Sequence, residues 1–106
     1  MRAYDLYGSK QSNLDFARSI VEKALGVRFT AHESDWRGGE YFRYRREGDE
    51  SFMLQLNVGD DDEPAELVFP EYLVLLYIER TTRSDEIRSL LAERAGDFIL
   101  LKHDEL

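Results

Sequence analysis

Hydrophobic residues recur along this chain with two different periods. Leu14, Ala17, Ile20, Val21, Ala24 and Leu25 fall three and four apart, which gathers apolar side chains into one stripe of an α-helix. Ser12 or Asn13 stands at the N-cap of this helix, and Gly26 stands where a left-handed residue ends it. Ile87, Leu90, Leu91 and Ala95 repeat the spacing. Ser84 is the expected cap of this second helix, Asp85 and Glu86 complement the dipole in its first turn, and Gly96 closes it.

Elsewhere the period is two. Phe52, Leu54, Leu56 and Val58 alternate with Met53, Gln55 and Asn57, so residues 51–58 are expected to form a strand with one buried face. Residues 2–8, 27–33, 40–46 and 97–102 also read as strands. Residues 72–78 (YLVLLYI) are apolar on both faces, which predicts a central strand covered on both sides. Polar turns at 34–39 and 47–49 join three of the strands into an antiparallel meander. The order is β-α-β-β-β-β-α-β. Because each helix lies between strands, each is expected to cross over within a βαβ unit. The predicted fold is therefore an α+β two-layer sandwich, a mixed sheet of about six strands with two helices on one face. The other face is crowded: Tyr4 or Tyr7, Tyr41, Tyr44, Leu73, Leu75 and Tyr77 cannot all lie under two short helices. The long irregular stretch 59–71, a partner, or exposure must account for the remainder.

The chain has 106 residues, enough for a single domain over 1–106 with a core that needs no staples. Residues 103–106 read as a charged tail whose removal costs little, whereas Ile99, Leu100 and Leu101 belong to the core. There is no cysteine, which excludes disulfides, thiolate metal sites and a cysteine nucleophile. The last four residues, His103-Asp104-Glu105-Leu106, spell a retention signal of the endoplasmic reticulum. The opening Met1-Arg2-Ala3-Tyr4-Asp5 does not read as a secretory leader, and no run approaches the ~18–20 apolar residues of a membrane span. A cytoplasmic location away from membranes is expected.

The net charge of −8 opposes binding to phosphate backbones, so nucleic acid is not an expected partner. The charge is also segregated. Residues 47–71 hold nine acidic side chains and no Lys or Arg, while Arg37, Arg43, Arg45 and Arg46 lie just before, among Trp36, Tyr41, Phe42 and Tyr44. These arginines are expected to pair across strands with the acidic segment. The run Asp60-Asp61-Asp62-Glu63 reads either as a solvated loop or as a docking surface steering a basic protein. A calcium loop fits poorly, because the sixth position from Asp60 is Ala65, where a glycine is required. No metal or cofactor is expected. His32 lies in Ala31-His32-Glu33-Ser34-Asp35-Trp36, but strand neighbours alternate faces and cannot act as nucleophile, base and orienter. No nucleophile elbow, phosphate-cradling loop or His-Glu-x-x-His motif is present. The expectation is that the chain is not an enzyme; a small carboxylate-dependent enzyme is the remote alternative.

The stretches ESDWRGGEYFRYR and FPEYLVLLYIERTTRSDEIRSLL, with the small size, acidity and α/β build, resemble the small acidic immunity proteins of bacterial polymorphic or contact-dependent toxin systems. The resemblance implies a cytoplasmic inhibitor that binds a cognate toxin domain, often a basic nuclease, and blocks its active site. The residue reading places the binding face at Trp36, Tyr41, Asp60, Asp61, Asp62 and Glu63, aromatic anchors beside carboxylates. The alternative is a homo-oligomeric structural or regulatory domain, such as a homodimer, that buries its aromatic sheet face against itself.

Overall fold

The computed structural model describes residues 2–34, 39–46, 50–59 and 63–105. Along the chain run β1 (Ala3–Ser9), α1 (Leu14–Leu25), β2 (Thr30–Ser34), β3 (Gly39–Arg45), β4 (Ser51–Leu56), β5 (Val74–Thr81), α2 (Ser84–Arg94) and β6 (Ile99–Glu105). Helix α1 forms as its spacing requires. The Asn13 side chain accepts a hydrogen bond from the Phe16 N–H, and Gly26 ends the helix at φ 67°. The segment after it was expected to be extended from residue 27. Instead Glu22 reaches out of α1 and accepts the Phe29 N–H at 2.8 Å, so β2 begins only at Thr30.

The six strands form one sheet in the order β2-β3-β4-β5-β1-β6. Every neighbouring pair is antiparallel, which corrects the mixed sheet expected from the helix placement. The helices do join strands that run the same way, but never neighbours. β1 lies between β5 and β6, and β2 stands at the far edge from β1. Each crossover therefore skips at least one strand, and antiparallel pairs fill the gap.

One sheet face carries the core. Tyr7, Phe42, Phe52, Leu54, Val74, Leu76 and Ile78 pack there under Ala17, Val21, Ala24 and Leu25 of α1 and Ile87 and Leu91 of α2. Each buried Val, Leu, Ile or Phe among them contributes about 1.5–3 kcal/mol. The opposite face consists of cross-strand rows. Thr30, Arg43, Met53, Tyr77, Leu6 and Lys102 align in one row, and His32, Tyr41, Gln55, Leu75, Gly8 and Ile99 in the next. β5 is buried on both faces as expected, since Leu75 on the second face is fully covered. Arg43 stands opposite Thr30 and Met53, and Arg45 opposite Ser51. Of the arginines expected to pair with acidic residues, Arg43 and Arg45 do not face any in this register, whereas Arg46 does. Its backbone N–H donates to the Glu50 carbonyl at 2.9 Å, and its charge favours the ionised Glu50 side chain. Arg37 lies outside the described residues.

Other boundaries differ from the sequence reading. β4 ends at Leu56 where the alternation ran to residue 58, and β5 runs from Val74 to Thr81 where 72–78 was expected. α2 begins at Ser84, with Arg83 at its N-cap and no side-chain cap bond. β6 continues through Glu105, pairing His103 with Asp5 and Glu105 with Ala3. Residues 103–105 are thus part of the sheet and not a tail.

Candidate functional site

The second sheet face is covered over β5, β1 and β6 by the segment that follows β4. Asn57 organises it. Its side-chain amide donates to the carbonyls of Phe69 at 2.9 Å and Tyr72 at 2.8 Å, and its Oδ1 accepts the Glu66 N–H at 2.9 Å. Its backbone N–H also donates to the Leu73 carbonyl. Glu66 straddles the sheet, accepting from the Tyr77 hydroxyl at 2.6 Å and from Lys102 Nζ at 3.4 Å. Tyr72 and Leu101 press over Gly8, where a Cβ would come within 2.8 Å of the tyrosine ring.

This fixed segment presents apolar groups outward. Leu67 is 67% exposed and Val68 76%, the highest values among the exposed large hydrophobic residues described. Both lie between the acidic residues Glu63 and Glu71, themselves exposed. The two adjacent exposed side chains form a small apolar patch on a loop that is held in place by hydrogen bonds. Of the residues expected at the binding face, Glu63 opens this segment, its carbonyl accepting the Gly59 N–H. Tyr41 lies on β3 and stacks on His32 at 5.4 Å between ring centroids. Trp36, Asp60, Asp61 and Asp62 lie outside the described residues.

A second polar constellation gathers where β1, α2 and β6 meet. The Ser84 hydroxyl donates to Asp5 Oδ2 at 2.6 Å, and His103 Nδ1 lies 2.5 Å from Asp5 Oδ1. His103 Nε2 lies 3.1 Å from Glu105 Oε1. These are the residue types of a hydrolytic triad in another order. The acid stands in the centre, the serine proton points at it, and both ring nitrogens face carboxylates. No free base is left to take the serine proton, so the arrangement binds elements together and does not activate a nucleophile. His32, the histidine the sequence singled out, instead lies 3.1 Å through Nε2 from the Thr30 hydroxyl.

Beside this cluster, Glu50 enters from the start of β4. Arg83 donates to it through Nε and through a terminal nitrogen at 2.8 Å, and the Thr81 hydroxyl donates at 2.6 Å. Burial pushes the Glu50 pKa up, but the hydrogen bonds from Arg83 and Thr81 outweigh it and hold the carboxyl below its ordinary range. Thr81–Glu86, with Arg2, Ala3 and Glu105, line a cavity of about 190 Å³. The strand leading into it bends at Arg80, whose φ is 55°.

Among the described residues no group of three or more His, Asp or Glu side chains could hold a metal ion. No described helix is long and apolar enough to cross a membrane. Sequence reasoning missed Asn57, Leu67, Val68, Asp5 and His103. A signal existed for Leu67 and Val68, two adjacent apolar residues inside an acidic, proline-bounded loop. Asp5 and His103 are separated by 98 positions, and nothing local connects them. No protein-family model matches the chain, and no curated protein matches it significantly.

Proposed function

We propose that this chain is an immunity-type protein that binds and neutralises a basic toxin domain. The observation that carries the reading is the loop between β4 and β5. It is fixed by Asn57 and offers Leu67 and Val68 between Glu63 and Glu71. Exposed apolar residues supply the desolvated centre of an interface, and the carboxylates around them steer a Lys- and Arg-rich partner. Preorganisation lowers the ordering cost of association. The net charge of −8 works in the same direction at long range.

The test is co-expression with the C-terminal domain of any large secreted protein encoded beside this chain, and the lack of such a neighbour counts against the reading. Protection of growth and a salt-sensitive complex by calorimetry are the expected results. Leu67→Asp with Val68→Asp should weaken binding at least about 100-fold, the scale of losing two contacts near the interface centre. Glu63→Lys with Glu71→Lys should slow association and flatten its salt dependence. Absence of both protection and complex defeats the reading. A dimer by light scattering that buries Leu67 and Val68 would favour self-association instead.

A further inference from the structure

Asp5 is a carboxylate with no exposed side-chain surface, set at the junction of three elements. Its two oxygens are divided between α2, through Ser84, and β6, through His103. The far nitrogen of the His103 ring faces Glu105. Only the imidazolium carries N–H on both nitrogens. The neutral ring can donate to one carboxylate and must then turn a lone pair toward the other. We propose that His103 is a proton-operated latch that fastens residues 103–105 of β6 to β1 and the start of α2, and that loss of its proton frees this end of the strand.

The groups around the ring support this. Asp5 faces it from β1, Glu105 from β6 itself, and the Ser84 hydroxyl from α2 at 3.5 Å. Arg2, Arg83, Asp85 and Glu86 line the adjoining cavity with Glu105. The charged groups bonded to the ring are thus both anionic. Hydrogen bonding to Asp5 and then to Glu105 raises the His103 pKa above its ordinary 6.5, against a smaller opposing effect of burial. β6 is an edge strand and its residues 102–105 are exposed, so this end can open while the core stays closed.

The sign follows from linkage. The closed state holds the proton more tightly than the open state, so the latch is fully engaged below the open-state pKa. It is released as pH rises through the raised closed-state value. The experiment is amide hydrogen exchange on the full chain between pH 5 and 9, expressed as protection factors to remove intrinsic base catalysis. Protection in the 3–5/103–105 ladder should fall with rising pH. The total fall should be about tenfold for each pH unit by which the closed state raises the histidine pKa. His103→Gln, with one neutral donor group, should give low and flat protection. His103→Arg, permanently charged, should give high and flat protection. Amides of β4 and β5 report the global fold in the same samples, and the wild-type profile decides alone if a variant fails to fold. Flat protection in the wild type, or a pH step that survives in His103→Gln, overturns the proposal.

Discussion

Gly8 shows how much one hydrogen atom in place of a methyl can matter. It sits on the second sheet face between Leu75 and Ile99, and a Cβ there would lie 2.7 Å from Leu101 Cδ1 and 2.8 Å from Tyr72 Cγ. The leucine end can rotate away, but Tyr72 is tied through its carbonyl to Asn57. Gly8→Ala is therefore expected to destabilise by about 1–3 kcal/mol through overpacking, despite the gain in strand propensity. Urea denaturation measures it: a lowered midpoint with unchanged slope is expected, and an unchanged midpoint means the loop yields freely. A glycine inside a strand pattern does announce a close approach, so this position was legible as special. Its neighbours were not, because Tyr72 and Leu101 reach it from distant parts of the chain. Asp5 gave even less notice. Between Tyr4 and Leu6 it reads as an ordinary polar position of an alternating strand, and only the fold makes it a buried carboxylate.

At the scale of elements, periodicity located both helices and all six strands, and it identified β5 as central. The polar turns at 34–39 and 47–49 gave the antiparallel β2-β3-β4 meander that the register shows. Periodicity was silent on the other neighbours, because a two-residue period reports which face a side chain occupies and not which strand lies beside it. That is why the sheet was expected to be mixed. It is also why β6 was ended at Lys102: His103, Asp104 and Glu105 are polar, yet an edge strand needs only ladder partners and here finds Ala3, Tyr4 and Asp5. The loop after β4 is held less by apolar burial than by Asn57, a residue whose alternation placed it simply on the polar side of a strand. Asn57→Ala removes three side-chain hydrogen bonds at once. Each buried orphan costs about 1–3 kcal/mol, but a surface loop can recover water, so a net loss of about 2 kcal/mol is expected. The stronger effect falls on the loop itself. Limited proteolysis should cut within residues 63–73 much faster than in the wild type, with little change elsewhere. Equal cutting rates would mean that the Glu66 contacts to Tyr77 and Lys102 suffice alone.

For the whole molecule, the two polar clusters at the ends of β4, β5 and β6 set opposite limits on stability. Glu50 has a folded pKa below its ordinary 4.5. Its contribution is complete above the unfolded value and is lost as pH falls through the folded one. His103 has a folded pKa above 6.5, so its contribution is complete below 6.5 and is lost as pH rises through the folded value. A net charge of −8 adds self-repulsion above neutrality in the same direction. Tyr7 acts further out. Burial, with the nearby Asp5 charge, pushes its phenol above 10 against the Arg88 guanidinium, so it bears only on strongly alkaline unfolding. The melting temperature is therefore expected to peak between about pH 4.5 and 6.5, on the acid side of neutrality. Thermal melts from pH 3 to 9 test this with two variants. Glu50→Gln should lower the peak and flatten the acid limb, because Arg83 then loses its ionised partner. His103→Gln should flatten the limb above pH 6.5 and leave the acid limb in place. If His103→Gln keeps the alkaline slope, overall repulsion governs that limb and the imidazolium does not. If Glu50→Gln keeps the acid slope, carboxylates outside the Glu50–Arg83 pair carry acid unfolding.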